Sequence, residues 1–131
     1  MRIMIDSNVI VSAVYNTNSK PAHTLHHVCE NHTLILCDYI ISECYNVIER
    51  KFPQHTAVLD RLLASLGYEL VATPRTGLTM VDPKDAPILN AAFFAEVDMV
   101  ISGDRHFLAL DMEYPRVLTP AQYLDSEGLK T

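Results

Sequence analysis

The chain has 131 residues, 49% of them hydrophobic, and a formal net charge of −6. Length and apolar content are enough for one core, so the sequence reads as a single domain over residues 1–131. The acidic balance argues against a general nucleic-acid binder, whose affinity comes from Lys and Arg, although that argument weakens if several acids hold divalent ions.

In chain order, Arg2 to Ile5 reads as a short buried strand. Ser7 and Asn8 are placed to cap a helix running from Val9 to Tyr15. Asn16 to Lys20 is polar and reads as a loop. Pro21 suits the first turn of a second helix that continues to about Glu30. Leu34 to Cys37 is a second strand. Asp38 is a plausible cap for a helix through Arg50, which Pro53 ends. Val58, Leu59, Leu62, Leu63 and Leu66 have helical spacing within His55 to Leu66, and Gly67 stops that helix. Glu69 to Ala72 is a third strand.

Pro74 to Val81 reads as irregular. Asp82-Pro83-Lys84-Asp85 resembles a helix start, with the helix reaching about Glu96. Met99 to Ser102 is a fourth strand, Arg105 to Leu110 a helical turn, and Arg116 to Leu118 a fifth strand. Thr119-Pro120 caps a last helix through about Asp125. Strands alternating with helices imply an α/β fold: a parallel sheet of about five strands, flanked by helices on both faces.

Four carboxylates stand out. Asp6 closes RIMI, and Asp104 follows MVIS and Gly103. Asp85 opens APILNAAFFA, and Glu43 lies beside the apolar face of Ile40, Cys44 and Val47. Sites in open α/β folds lie outside the carboxyl ends of the strands. If Asp6 and Asp104 end adjacent strands, their charges converge and repel unless a cation lies between them. An all-oxygen set suits Mg²⁺ or Mn²⁺. Each acid also has a structural alternative. Asp6 and Asp104 could simply cap the next turn, Asp85 could complete a capping box begun at Asp82, and Glu43 could be solvated.

Other chemistries have less support. His23 and His27 have the spacing of two zinc ligands, but no matching Cys or carboxylate pattern accompanies them. With Gly at 4 positions, no phosphate-binding loop is present. Cys29, Cys37 and Cys44 are odd in number and contain no C-x-x-C pair. They read as reduced thiols and point to the cytoplasm. No apolar run is long enough for a membrane span, and the N-terminus carries no signal-peptide pattern.

The segments IMIDSNVIVSA, LCDYIISECYNVI, VDPKDAPILNAAFFAEVDMVISGDRHFLAL and VLTPAQYL together resemble a PIN domain over nearly the whole chain. The resemblance implies an Mg²⁺- or Mn²⁺-dependent ribonuclease. It places the family's acids at Asp6, Glu43, Asp85 and Asp104, and its small polar residues at Asn8 and Ser102. Asp82 and Asp98 flank the third acid and leave open which is primary there. Arg105, next to Asp104, is a candidate phosphate contact, with RNA in single-stranded or looped form as the expected substrate.

The small single-domain form is similar to toxins of bacterial type II toxin–antitoxin pairs, which implies a small antitoxin partner. A two-fold homodimer is the commonest assembly for such a chain. Segments carrying Leu25, Val28, Ile40, Val47, Ile48, Leu59 and Leu62 are more apolar than one core face needs, so an exposed apolar patch is expected. Three rivals remain: a PIN-fold nuclease in RNA processing, an aspartyl phosphotransferase (which wants a second Asp where Asn8 stands), and a non-catalytic interaction domain.

Overall fold

The computed structural model describes residues 1–74, 86–110 and 112–129. The order is β1 (Arg2–Ile5), α1 (Ser7–Tyr15), α2 (Lys20–Asn31), β2 (Thr33–Cys37), α3 (Asp38–Lys51), a 3₁₀ turn (Pro53–His55), α4 (Thr56–Ser65), β3 (Tyr68–Val71), α5 (Ala86–Phe94), β4 (Met99–Ile101), α6 (Arg105–Leu108), β5 (Arg116–Leu118) and α7 (Pro120–Ser126). The five strands form one sheet in the order β3-β2-β1-β4-β5, and every pairing is parallel.

Burial explains the strand sequences. Ile3, Met4 and Ile5 of β1, Leu34 to Cys37 of β2 and Met99 to Ile101 of β4 are all buried. A strand covered on both faces reads as a continuous apolar run rather than an alternation. The edge strand β3 is more open, with Glu69 and Leu70 exposed.

The chain begins in the middle of the sheet, builds outward through β2 to β3, then returns to add β4 and β5 on the other side of β1. Right-handed crossovers put the connections before and after that reversal on opposite faces. Helices α1 to α4 therefore cover one face and α5 the other, while α7 folds back against α2. The reversal lies between β1 and β4, and a crevice opens at the carboxyl ends of strands that part in this way.

Several boundaries differ from the sequence reading for physical reasons. Helix α1 begins at Ser7, and its cap is Asp6, whose carboxylate accepts the Ser7 N–H. Asp38 is the first residue inside α3 rather than its cap; its carboxylate accepts the Thr73 N–H at 2.7 Å and the Thr73 hydroxyl at 2.5 Å. That pairing ties the start of α3 to the chain leaving β3. Helix α5 ends at Phe94, and the turn closes with Glu96 in the left-handed region at φ 54°. Thr119 and Gln122 form a reciprocal capping box at α7. The readings of Arg75 to Val81 as irregular and of Asp82 to Asp85 as a helix start lie outside the described residues.

The expected apolar patch is not found where it was placed. Leu25, Val28, Ile40, Ile48 and Leu59 are buried in the core, and Val47 and Leu62 are partly buried. Four helices crowd onto one face of the sheet, so they bury apolar surface against one another as well as against the strands. The large exposed apolar side chains are instead Met1, Tyr15, Leu70, Phe93, Phe94 and Tyr114. No helix among the described residues is long and apolar enough to cross a membrane.

Candidate active site

Asp6 continues β1 past its last residue. Its N–H donates to the Ile101 carbonyl at 2.9 Å, and the Ser102 N–H donates to the Leu118 carbonyl at 2.9 Å. The register Ile5↔Ile101 thus carries on to place Asp6 beside Ser102. Asp6 retains extended backbone and at the same residue turns the chain into α1. The residue is 4% exposed.

Each Asp6 oxygen has its own partners. Oδ1 accepts the Ser7 N–H at 2.7 Å. Oδ2 accepts the Ser102 hydroxyl at 2.8 Å and the Asn8 amide N–H at 3.1 Å. Asn8 is oriented from its other end, because its Oδ1 accepts the Gly103 N–H at 3.1 Å. Ser102 Oγ accepts the Asp104 N–H at 3.0 Å, which fixes the backbone at Asp104. Asn8 and Ser102 therefore both hold the Asp6 carboxylate in place.

Glu43 comes from α3, half-buried, and accepts a hydrogen bond from the Ser7 hydroxyl. Ser7 Oγ is also 3.4 Å from Asp6 Oδ1. One side chain thus touches both carboxylates. Asp6, Glu43 and Asp104 line a single cavity of about 370 Å³, whose walls include Ser7, Asn8, Val11, Val47 and Lys51. Burial pushes the Asp6 carboxyl up to about 6 from an ordinary 3.8, against the lowering effect of Ser102 and Ser7, and the charge of Glu43 adds to the rise.

The donor set fits a hard divalent cation. A buried carboxylate beside a second carboxylate is an uncompensated concentration of negative charge, which a cation relieves. Among the described residues no three His, Cys, Asp or Glu side chains lie together closely enough to hold a metal ion by themselves. The paired Asp6 and Glu43 in a cleft fit Mg²⁺, an ion that usually keeps several waters and is bound by one or two carboxylates plus substrate phosphate.

Of the residues singled out in the sequence, Asp6, Asn8, Glu43, Ser102 and Asp104 are brought together. Asp85 and Asp82 lie outside the described residues. Asp98 is not in the cleft: it precedes β4 at the opposite sheet edge, where it accepts the Arg2 N–H at 2.8 Å and the Tyr114 hydroxyl. Arg105 opens α6, exposed, and is not among the cavity's lining residues. Sequence reasoning treated Ser7 only as a cap and did not place Lys51 in the cleft. The signal for Lys51 was present, because Glu43, Val47 and Lys51 fall at i, i+4 and i+8 on one helix face.

A parallel sheet whose strand order reverses beneath a carboxylate-lined cleft defines an α/β protein with its site at the switch point. A family model described as PIN domain matches residues 2–106. The chain belongs to the PIN domain family, whose members are nuclease domains that generally use divalent metal ions. No curated protein matches the chain. Among solved structures, VapBC2 from Rickettsia felis, bound to a DNA fragment from its promoter, is similar at a TM-score of 0.67 and 16% identity, over 90% of this chain and 97% of that one. DNA-bound VapBC from Salmonella typhimurium is similar at a TM-score of 0.67 and 16% identity, over 92% of this chain and 98% of that one. These likenesses establish the shared fold.

Proposed function

We propose that the chain is a metal-dependent endoribonuclease and the toxin of a type II toxin–antitoxin pair. The observation that carries the nuclease reading is the buried Asp6 carboxylate, held by Ser102 and Asn8 in one cavity with Glu43 and Asp104. Asp6, Glu43 and Asp104 would hold the ion, with Asp85 as the further acid the family resemblance supplies. A bound Mg²⁺ or Mn²⁺ supplies Lewis-acid charge to the phosphate and lowers the pKa of water.

The chain's own residues do the positioning. Ser102 and Asn8 fix the direction of Asp6, and Ser7 sets Glu43 relative to it. Such supporting contacts orient the groups that meet the ion and substrate. Arg105, beside Asp104, is the proposed contact to a substrate phosphate on the rim. RNA enters as a single or looped strand, because a narrow cleft takes splayed nucleotides more readily than a duplex.

The toxin assignment draws on the single-domain form and on the two similar structures, both VapBC assemblies on DNA. It carries with it a cognate antitoxin, a homodimer and a cytoplasmic location. The test is cleavage of single-stranded RNA with Mn²⁺ and with chelator, using Asp6→Asn as control, beside growth of cells on induced expression. Cleavage that needs the ion and Asp6, with growth arrest, is expected. Chelator-resistant cleavage overturns the metal role. Cleavage without any growth defect overturns the toxin role and leaves a processing nuclease.

A further inference from the structure

We propose that the groove between α1 and α3 is a track for single-stranded RNA, in which Lys51 holds a backbone phosphate and Tyr15 offers a ring to a base. The proposal rests on the nuclease reading above and specifies how the substrate is held beyond the acidic centre.

The two helices run side by side in the same direction. Ser7 at the start of α1 meets Glu43 in the second turn of α3, and Tyr15 meets Phe52 where the helices end, at a ring-centroid distance of 4.9 Å. On α3 the stripe Glu43, Val47, Lys51 faces the cavity, and on α1 the stripe Asn8, Ser12 does the same. Tyr15 continues the α1 stripe by one further turn, being three residues on from Ser12. The cavity leads from carboxylates past Val11 and Val47 to Lys51, and the Tyr15–Phe52 pair stands where the two helices end.

Each end carries an observation the acidic centre does not use. Among the described residues Lys51 is the cation lining the cavity, and it makes no ion pair with any described carboxylate. Its charge is therefore not spent on Glu43 or Asp104. Tyr15 is 62% exposed, yet its ring is held in place by Phe52, with His55 at 6.3 Å. A fixed, open ring and a cation at the same end of two neighbouring helices are the groups that single-strand binders use, since stacking tolerates any base and the cation follows the backbone.

Spacing assigns the phosphate. Eight residues of helix separate the Cα atoms of Glu43 and Lys51 by about 12 Å. Both side chains lean toward the helix N-terminus, so the separation persists at their ends. Lys51 accordingly meets a phosphate about two nucleotides from the one at the acidic centre, and Tyr15 a base further along. Contacts of this kind bind ground state and transition state alike. They raise affinity without changing the chemical step.

The test uses the full chain carrying Asp6→Asn, so that RNA is bound but not cut, and a labelled RNA of about 12 nucleotides, within the range of single-strand sites. Lys51→Gln should weaken binding severalfold and reduce the slope of log affinity against log salt by about 0.7. Tyr15→Ala should weaken binding by roughly tenfold, and Tyr15→Phe should not. Melting curves confirm that each variant is folded. In the otherwise unaltered enzyme, Lys51→Gln should raise KM for that RNA with kcat held. If both variants bind RNA as tightly as the parent, with the same salt slope, while the enzyme still cleaves, the track is overturned and the nuclease reading stands. If Tyr15→Ala instead loses a co-expressed antitoxin with RNA affinity intact, the groove is a protein-docking surface and the track is overturned. If the unaltered chain neither binds nor cleaves RNA, the nuclease reading falls and the track with it.

Discussion

Ser102 Oγ donates to Asp6 Oδ2 at 2.8 Å across 96 positions of sequence. The contact joins the carboxyl ends of β1 and β4, the two strands between which the sheet order reverses. Together with Asn8 and the Ser7 N–H it gives Asp6 three well-formed donors. Three donors would ordinarily hold a carboxyl low. Burial and the charge of Glu43 outweigh them and leave Asp6 near 6. The site is therefore built around a carboxylate that is fixed in direction but short of positive charge.

That balance predicts an inverted pH dependence in the metal-free protein. The folded Asp6 is raised from 3.8 to about 6, so its favourable contribution is complete below about 3.8 and is lost as pH rises through about 6. The difference is about 3 kcal/mol, from about two units at 1.36 kcal/mol each. Chelated protein should thus lose melting temperature between pH 4 and 7, apart from other titrations, and Asp6→Asn should flatten that loss. Mn²⁺ at pH 7 should restore stability to the parent and much less to Asp6→Asn. Equal Mn²⁺ shifts in the two proteins would show that Asp6 does not hold the ion.

The Ser7 side chain is in contact with both Asp6 and Glu43. Removing its hydroxyl in Ser7→Ala takes a hydrogen bond from Glu43 and leaves that carboxylate free to turn. Losses of this supporting kind typically lower metal affinity or activity by about 10- to 100-fold. Ser7→Ala should therefore need more Mn²⁺ for half-maximal RNA cleavage, and Ser7→Thr, which keeps the hydroxyl, should recover most of it. An unchanged Mn²⁺ requirement in Ser7→Ala would mean that Glu43 is positioned by its own helix alone.

The strands and their order of charge were legible because periodicity and strand-end placement are local signals. RIMI and MVIS announce buried strands, and acids directly after the first and one residue beyond the second point to one sheet edge. The Ser7 bridge was not legible, since it depends on α3 lying across α1, a packing relation no short segment encodes. The misplaced apolar patch has the same origin. Leu25, Val28 and Leu59 look surplus to one sheet face until helices stacked two deep consume them. Asp98 shows the converse: adjacent to β4 like Asp104, it sits at the strand's other end, and only strand direction separates the two.

Docking of α7 gives a third prediction. Glu127, just past the helix, pairs with His32, and Tyr123 Oη lies 2.6 Å from His27 Nδ1. The hydrogen bond and charge of His32 hold the Glu127 carboxyl below its ordinary range. A lowered acid contributes stability above its unfolded pKa and loses it as pH falls through the folded value. Glu127→Gln should melt below the parent at pH 7, and the gap should narrow as pH falls below the usual range of glutamate. A gap of constant size from neutral to acid would assign the effect to packing rather than to the ion pair.

Glu96 offers a prediction independent of the cleft. It follows α5 with φ at 54°, while the Val97 N–H closes the turn onto the Ala92 carbonyl at 3.1 Å. This is the left-handed residue that ends many helices, a position where a Cβ costs about 1 kcal/mol or more and glycine costs little. Glu96→Gly removes that strain but loosens the unfolded chain, which offsets part of the gain. The net expectation is a stabilisation of about 0.5 kcal/mol, read as a higher urea midpoint at unchanged slope. Glu96→Ala keeps the Cβ and the strain, so it should not share the gain. If alanine stabilises as much as glycine, the benefit comes from removing the charge beside Asp98, and backbone strain at this turn is not its source.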